Sequence, residues 1–362
     1  MELETLYGAD KNGGYKQWSV SADCGVITVS HGKLGGKLQT KQTVCKGKNV
    51  GRANETSSVQ QAELEAQSKW NKQVDKYYRT TLEGVDSLAT EGVMLAQDYT
   101  KKPHFLESVF YISPKLDGLR VKTTFIDGEP VWSSRGGKTY PVPKHLVSLL
   151  KEAHEHGFES LDGEAYIHGV KLQSIQSCVK KTNELTPQVT YQVFDIPSDK
   201  IWLERLEDLD KLKDFLHFNF TNHLNVVEQR LCDKNKLDTV LHLFLEQGYE
   251  GVMMRNPNGL YAFQNKRSND LLKYKLFKDS EAKVIDCRID KNDEGVLLCE
   301  WNDVTVELKM KGDHSYRCYK NQVKLIGSWI NFTYQDLTED GVPTFAVGQS
   351  ERLCDDKGQP LE

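Results

Sequence analysis

Long apolar runs are absent from the sequence, and the chain begins with the acidic stretch Met1-Glu2-Leu3-Glu4. A helix that crosses a bilayer needs about 20 consecutive apolar residues, and a secretory signal begins with basic residues followed by an apolar segment. Because neither pattern is found, we expect no transmembrane segment and no signal peptide. The sequence therefore predicts a cytoplasmic protein without a membrane partner.

Paired cysteines are also absent. The eight cysteines stand singly, at Cys24, Cys45, Cys178, Cys232, Cys287, Cys299, Cys318 and Cys354. A zinc ribbon or knuckle needs closely spaced CxxC pairs, so this spacing argues against that class of metal site. Without an export signal, we expect reduced thiols with structural roles.

An excess of positive charge is missing as well, since 47 Lys and Arg residues stand against 52 Asp and Glu residues. The segment from His31 to Arg52 differs, because it contains Lys and Arg but no Asp or Glu. Its cations are Lys33, Lys37, Lys41, Lys46, Lys48 and Arg52. Such a local basic face can contact phosphates, with Lys33 and Lys37 as the preferred contacts. The alternative is a solvated lysine-rich loop.

The length of 362 residues predicts two or three domains. In the first 80 residues, short alternating stretches precede a helix predicted to begin at the Thr56-Ser57-Ser58 cap and to end near Tyr78. Residues 81–104 are expected to form a partly helical connector. From Val109 onward, strands alternate with helices, which predicts an α+β or mixed α/β domain of mostly antiparallel strands.

The residues after Lys278 are punctuated by turn signals that separate five short apolar stretches. Five short strands in about 80 residues fit a small β-barrel of the OB type. We therefore expect three domains, at residues 1–80, 81–278 and 279–362.

The hexapeptide Lys115-Leu116-Asp117-Gly118-Leu119-Arg120 contains the candidate nucleophile. A lysine attacks phosphorus only as the neutral amine, so partial burial and nearby cations must favour loss of its proton. Arg120, Lys273 and Lys275 are candidates for those cations, and Gly118 permits a tight turn. By itself, the hexapeptide could also be an ordinary turn between two strands.

Five further segments follow the hexapeptide along the chain. They are Ser134-Arg135-Gly136-Gly137, Leu161-Asp162-Gly163-Glu164, Tyr191-Gln192-Val193-Phe194-Asp195, Glu250-Gly251-Val252-Met253 and Leu272-Lys273-Tyr274-Lys275. Together with the hexapeptide, they resemble the signature motifs of the covalent nucleotidyltransferase superfamily of DNA ligases, RNA ligases and mRNA capping enzymes. The resemblance covers about residues 94–278 and implies that Lys115 forms a covalent bond to AMP.

The resemblance also implies roles for the other motif residues. Arg120 would contact the nucleotide and the nick terminus, and Arg135 would hold the 5′-phosphate of the nick, which a guanidinium suits well. Phe194 would stack on the purine. Lys273 and Lys275 alternate on a strand, so both are expected to face the α-phosphate. The alternatives are a surface arginine, a core phenylalanine and a solvated lysine pair.

Two carboxylates are implied as metal ligands. Glu164 would contact the ribose or the metal, and Glu250 would bind the metal, Mg²⁺ or Mn²⁺, because hard cations favour one or two carboxylates together with phosphate oxygens. Asp117 is a further possible carboxylate, but its residue type is equally typical of a turn.

The branch of the superfamily is indicated by Met94-Leu95-Ala96 and by Asp162-Gly163-Glu164, which look more like an ATP-dependent DNA ligase. NAD-dependent ligases carry a tetracysteine zinc module, which this sequence lacks. The expected reaction seals 5′-phosphate/3′-hydroxyl nicks in double-stranded DNA with ATP, carried out by a monomer of phage, viral or bacterial type. An RNA ligase or a capping guanylyltransferase is the alternative.

Both ends of the chain add further resemblances. The segment His31-Gly32-Lys33 through Lys37, followed by the predicted helix, looks like a WGR domain, although His31 replaces the tryptophan that gives the domain its name. This replacement puts stacking on a terminal base pair in doubt, but not phosphate contact. The C-terminal stretch resembles the end of a ligase OB domain, in which Arg352 could orient pyrophosphate or could be an exposed terminal arginine.

Overall fold

The computed structural model describes residues 1–10, 13–86, 91–218, 222–355 and 358–361. The chain forms two compact units, Met1–Tyr274 and Lys275–Glu362. No helix in these ranges has both the length and the apolar content needed to cross a membrane. The mixed α/β architecture with several mostly antiparallel sheets confirms the predicted class, whereas the predicted division into three domains stays a prediction.

The N-terminal part of the first unit is a four-stranded antiparallel sheet covered by a helix. Its elements are β1 (Leu6–Ala9), β2 (Tyr15–Asp23), β3 (Val26–Lys33), β4 (Gln39–Val44), α1 (Ser58–Val74) and α2 (Leu82–Asp86). Trp18 and Val20 of β2 pack against Ala62 and Ala66 of α1 in a small apolar core. The alternation of β2 and the helical spacing of α1 place these side chains on facing surfaces.

The beginning of α1 confirms the predicted cap. The Ser57 hydroxyl accepts a hydrogen bond from the Gln60 backbone N–H, and the Gln60 side chain accepts one from the Ser57 N–H. This capping box satisfies two N–H groups that a helix start leaves without partners. The predicted end near Tyr78 was wrong, because the helix stops at Val74 and Tyr77 adopts a left-handed φ of 64°.

The rest of the first unit contains two larger sheets. Its elements are β5 (Leu95–Asp98), β6 (Val109–Lys115), β7 (Leu119–Ile126), β8 (Glu129–Ser134), β9 (Thr139–Tyr140), α3 (Lys144–Glu155), β10 (Ser160–Tyr166), α4 (Leu172–Lys180), β11 (Thr190–Asp195), α5 (Trp202–Phe218), β12 (Leu224–Val226), β13 (Arg230–Asp233), α6 (Leu237–Glu246), β14 (Gly251–Arg255) and β15 (Arg267–Tyr274). One sheet has the order β12-β11-β10-β7-β8-β9, and the other has the order β13-β6-β14-β15-β5. Helices α3, α4 and α5 pack on the first sheet and α6 packs on the second.

Several elements of this part differ from the sequence prediction. The connector at residues 81–104 contributes strand β5, which pairs in parallel with β15, so it is not only helical. Helix α4 was not predicted, because its apolar side chains are few and spread over only nine residues. Strand β15 ends at Tyr274, so Lys275 of the Leu272-Lys273-Tyr274-Lys275 motif lies beyond it.

The second unit is a five-stranded antiparallel sheet with two short helices. Its elements are β16 (Lys278–Ile289), β17 (Gly295–Trp301), β18 (Val304–Leu308), α7 (His314–Arg317), α8 (Tyr319–Gln322), β19 (Trp329–Tyr334) and β20 (Val347–Arg352). The strand order is β18-β17-β16-β19-β20, and an isolated parallel bridge joins Met310, just after β18, to Gly348 of β20. The last strand begins at Val347, after Phe345, which adopts a left-handed φ of 52°.

Candidate active site

A cavity of about 250 Å³ is lined by strands of both larger sheets in the first unit. Six side chains singled out in the sequence line it, namely Lys115, Arg120, Arg135, Glu164, Phe194 and Lys273. The chain brings them together because β6 belongs to one sheet and β7 to the other. The segment Leu116-Asp117-Gly118 of the hexapeptide connects these two strands and therefore the two sheets. Residues separated by up to 158 positions in sequence therefore share one cavity.

Lys115 is the last residue of β6 and pairs in register with Gly251 of β14. This pairing places the preceding residue, Glu250, beside the lysine: the Glu250 N–H donates to the Lys115 carbonyl at 2.9 Å. The Lys115 ammonium donates to Glu250 Oε2, and both side chains are largely buried. The candidate nucleophile is thus held in an ion pair with the candidate metal ligand.

Gly118 lies where the hexapeptide crosses over strand β10. A Cβ at this position would lie 2.6 Å from both the Ala165 carbonyl oxygen and Glu164 Cγ. Since real side chains do not approach so closely, only glycine lets the turn pack against β10. The close packing at Gly118 is therefore against β10 of the same chain.

Arg120 and Glu164 lie opposite each other on neighbouring strands β7 and β10. The Arg120 guanidinium donates to both oxygens of the fully buried Asp162, at 2.9 and 2.5 Å, and Tyr261 Oη donates to the same carboxylate at 2.5 Å. Burial works against the charge of Arg120, but the Asp162 carboxylate outweighs it and raises the pKa of Arg120 further above its usual value. This bidentate pair fixes the guanidinium in the cavity wall.

Glu164 has a strongly perturbed carboxyl group. Burial raises the pKa of Glu164 to about 8, although the nearby cations Lys115 and Arg120 lower it. A carboxyl group with such a pKa accepts a proton near neutral pH unless further positive charge enters the cavity. The cavity therefore favours a cation next to Glu164.

Phe194 projects into the cavity close to the end of β11. The guanidinium carbons of Arg120 and Arg255 lie 5.1 and 5.7 Å from the centre of its ring. Arg255 is 3% exposed, donates to the Phe194 carbonyl at 3.2 Å and lies 3.4 Å from an Asp195 oxygen. Burial lowers the pKa of Arg255, while Asp195 raises it. Two arginines thus contact the Phe194 ring, on which a planar ligand could stack.

The remaining predicted residues lie at several places. Arg135 is exposed in the turn between β8 and β9, and Lys273 lies in β15 beside Met253 of β14. Lys275 lies beyond β15 in the second unit, where its ammonium donates to the Gln335 side chain. The expectation that Lys273 and Lys275 alternate on one strand was therefore wrong.

The predicted basic residues near the two ends of the chain lie in different surroundings. Lys33, at the end of β3, is exposed and lies 3.7 Å from an Asp10 oxygen, and Lys37 is exposed in the loop before β4. Arg352 donates to Glu281 at 2.8 Å within the second unit, so it is not simply an exposed terminal arginine.

Two further arginines line the cavity that sequence reasoning missed, Arg255 and Arg267. Arg255 follows the Glu250-Gly251-Val252-Met253 motif, and strand alternation places it on the same side as Met253. Leu95 and Ala96 of β5 also line the cavity, and they belong to the tripeptide that the sequence singled out. Strand alternation followed beyond Met253 could have predicted Arg255.

A metal site made by the protein alone is not found among the described residues, since no group of three His, Cys, Asp or Glu side chains is arranged to hold an ion. The donor set still fits a hard divalent cation, because Glu164 and Glu250 are both carboxylates close to Lys115 and such cations complete their shell with phosphate oxygens and water. The arrangement of an amine, carboxylates, arginines and an aromatic ring suits the transfer of a nucleotide.

Comparisons with known proteins agree with this chemistry. Residues 93–275 match the model of the ATP-dependent DNA ligase domain family. A DNA ligase of Haemophilus influenzae is 29% identical over 289 residues, which cover 76% of this chain and 99% of the relative. A solved structure from work on Lig E DNA ligases is 25% identical, with a TM-score of 0.59, over 72% of this chain and 99% of that chain. A solved structure named Pmar-Lig_Pre shares the fold, with 20% identity and a TM-score of 0.65 over 75% of this chain and 72% of that chain.

Proposed function

The chain belongs to the ATP-dependent DNA ligase family, and we propose that Lys115 is the residue to which it attaches AMP. The observation that carries this proposal is the position of Lys115 in the cavity, paired with Glu250 and surrounded by Arg120, Glu164 and Lys273. The protein is a DNA ligase that uses ATP, so AMP must be transferred to a nucleophile of the protein before DNA is joined. Lys115 supplies an amine where phosphate-binding groups converge.

In the first step, the neutral Lys115 amine attacks the α-phosphorus of ATP, a phosphorus–nitrogen bond forms and pyrophosphate leaves. The ring of Phe194 supports the purine, and Lys273 balances the negative charge that builds up on the α-phosphate. Glu250 and Glu164 would hold a divalent cation, Mg²⁺ or Mn²⁺, which would neutralise the phosphates when bound. The residues contribute mainly by orienting the reactants and by balancing charge.

In the second step, a 5′-phosphate oxygen of nicked double-stranded DNA attacks the lysyl-AMP and releases Lys115 as the amine. In the third step, the adjacent 3′-hydroxyl attacks the activated 5′-phosphorus and AMP leaves. We assign Arg120 and Arg135 to the DNA phosphate, because both line the cavity that contains Lys115 and because guanidinium groups bind phosphate with two parallel hydrogen bonds. Lys275 is proposed to act on the α-phosphate, as the motif resemblance implies.

A labelling and chase experiment tests the donor and the acceptor together. We expect covalent label from α-labelled ATP but not from GTP or from adenylate-labelled NAD, and we expect the label to move to nicked DNA faster than to an all-RNA nick. The expected choice of ATP follows from the family to which the chain belongs, because GTP carries the same α-phosphate. The acceptor is expected to be chosen by the groove and phosphate backbone that Arg120 and Arg135 contact. Label from GTP would favour a guanylyltransferase, and transfer to RNA alone would favour an RNA ligase.

The flanking parts are proposed to bind DNA around the nick. We infer that the second unit is an OB domain, supported by its strand order and by the parallel bridge between Met310 and Gly348. The N-terminal sheet and α1 are proposed to be a WGR-like module, supported by their order along the chain and by the basic segment at residues 33–52.

The basic segment leads to a prediction about salt. The association constant for nicked DNA is expected to fall with salt, in a plot of log K against log salt concentration. The double change Lys33→Gln and Lys37→Gln is expected to make this fall less steep, by about 1 to 2 in slope, because each lost phosphate contact removes roughly one released counterion. Filter binding between low and moderate salt measures this slope. Lys211→Gln is the matched control, since Lys211 is exposed and pairs with Asp208 on α5. An unchanged slope in the double variant would leave Lys33 and Lys37 as solvated lysines.

A further inference from the structure

The side-chain amide of Asn265 contacts three separate segments of the first unit. Its Nδ2 donates to the Arg135 carbonyl oxygen at 2.6 Å, and its Oδ1 accepts from the Val93 N–H at 3.2 Å. A further hydrogen bond joins the amide to the phenol of Tyr77. An amide NH₂ has two hydrogens, so Asn265 is able to donate to Arg135 and to Tyr77 at the same time. The three contacts therefore determine the orientation of this amide.

Close packing surrounds the contact between Tyr77 and Asn265. A Cβ on Gly92 would lie 2.6 Å from Tyr77 Oη and 3.0 Å from the backbone nitrogen of Asn265, so this position accepts only glycine. Burial raises the pKa of the Tyr77 phenol, and the nearby Glu91 carboxylate raises it further. The phenol is thus a neutral, partly buried group at the junction of the N-terminal part with the rest of the first unit.

The backbone at this junction is unusual for residues that carry side chains. Tyr77, Gln264 and Asn265 have φ angles of 64°, 60° and 55°, in the left-handed region. Asparagine adopts this region with little cost, but tyrosine does so only where the surroundings hold it. The Gln264 N–H donates to the Glu91 carbonyl at 2.6 Å and helps to hold the loop. The left-handed backbone at these positions therefore accompanies the close approach of Tyr77 to Asn265.

Arg135 lies in the turn between β8 and β9, which is closed by hydrogen bonds between Ser134 and Lys138. Gly136 and Gly137 follow it, and a Cβ added at either glycine would meet no atom within 4 Å. The hydrogen bond from Asn265 reaches this turn from outside and holds its backbone, while the Arg135 side chain lines the cavity that contains Lys115. Fixing the carbonyl of a residue restricts where its guanidinium can point.

Tyr77 and Asn265 come from different parts of the chain. The match to the ligase family begins at residue 93, so Arg135 and Asn265 lie inside it, whereas Tyr77 lies in the preceding N-terminal part. A residue from outside the matched region therefore contacts a side chain that holds the turn of Arg135.

We propose that Asn265 and Tyr77 are positioning residues through which the N-terminal part sets the place of Arg135 for the 5′-phosphate of a nick. This inference rests on the proposed role of Arg135 at that phosphate. Its consequence is that the N-terminal part contributes to discrimination between a 5′-phosphate and a 5′-hydroxyl, in addition to any DNA contact of its own.

The experiment compares the affinities of the full-length protein for nicks that carry a 5′-phosphate or a 5′-hydroxyl. Asn265→Asp keeps the size of the side chain and the acceptor for Val93 but loses both donors. It is expected to reduce the phosphate-to-hydroxyl affinity ratio by about 10-fold, as expected for a displaced charge-assisted hydrogen bond. Asn265→Gly keeps the left-handed backbone without adding charge and should show a similar loss. The rate of self-adenylylation is measured alongside and should stay at the wild-type value.

The controls separate positioning from stability. Asn302→Asp makes the same chemical change at an exposed asparagine that also has a left-handed φ, 48°, and it should leave the ratio unchanged. Tyr77→Phe removes only the hydroxyl and is expected to lower the ratio by roughly 3-fold, consistent with one neutral hydrogen bond. Lower melting temperatures of both Asn265 variants with a wild-type ratio would overturn the proposal, and so would a wild-type ratio in Tyr77→Phe.

Arg135→Ala distinguishes failure of the inference from failure of the proposed function. If Arg135→Ala lowers the ratio but the Asn265 variants do not, the role of Arg135 stands and positioning by Asn265 is wrong. If Arg135→Ala leaves the ratio at the wild-type value, the assignment of Arg135 to the 5′-phosphate is wrong, and the inference falls with it.

Discussion

Lys115→Ala is expected to lower covalent labelling by α-labelled ATP by more than about 10⁴-fold, because the amine that forms the bond to AMP is removed. The measurement is label that stays with the denatured protein after incubation with ATP and Mg²⁺. Lys115 is largely buried and its ammonium is paired with Glu250, so loss of its side chain should also be checked against folding by circular dichroism. Lys181→Ala is the matched control, since Lys181 is exposed beyond the end of α4.

The same variant separates the three steps. Lys115 acts as a nucleophile only in the first step, so Lys115→Ala should still seal a nick whose 5′-phosphate already carries AMP. Loss of this activity in a folded Lys115→Ala protein would show that the amine also serves the joining step. Wild-type labelling of Lys115→Ala would move the covalent bond to another residue and would contradict the assignment outright.

Much of this site could be predicted because its residues lie in short segments with characteristic chemistry. A lysine before Asp-Gly, a carboxylate after Asp-Gly and an aromatic residue at a strand end each carry a local signal. The structure then brings six of the predicted side chains to one cavity, since β6 and β14 pair next to Lys115 while β7 and β10 pair at Arg120 and Glu164. Local segments and strand alternation together were therefore sufficient to predict these six cavity residues.

Other parts of the site depend on contacts that a single sequence does not reveal. Asn265 bonds to Arg135 across 130 positions, and Asp162 receives a hydrogen bond from Tyr261 across 99. Neither asparagine nor tyrosine has a local pattern that would predict such a partner. Lys275 was misplaced for a related reason, because strand alternation applies only as far as the strand continues and β15 ends at Tyr274.

The fold shows the same distinction between local and distant causes. The start of α1 was predicted correctly because the Ser57 capping box is complete within four residues. Its end was not, because Tyr77 leaves the helix to reach Asn265 near the other end of the first unit. Strand β5 was hidden for a similar reason, since its hydrogen bonds come from β15, more than 160 residues away.

Glu250→Gln is expected to slow formation of the lysyl-AMP by about 10²- to 10³-fold, the usual cost of losing one group that stabilises charge at the reacting centre. Glutamine keeps the size of the side chain and an acceptor oxygen for Lys115, so the change removes mainly the negative charge. Single-turnover labelling with ATP at several Mg²⁺ concentrations measures the rate. Glu246→Gln is the matched control, because Glu246 is exposed at the end of α6, four residues earlier.

The Mg²⁺ dependence of Glu250→Gln decides what the carboxylate does. If Glu250 binds the metal, the variant needs more Mg²⁺ for its half-maximal rate, and part of the lost rate returns at high Mg²⁺. If Glu250 acts mainly through its ion pair with Lys115, the loss is the same at every Mg²⁺ concentration, because the metal cannot replace that contact. A variant with the wild-type rate at low Mg²⁺ would exclude both roles and leave Glu164 as the carboxylate that faces the phosphates.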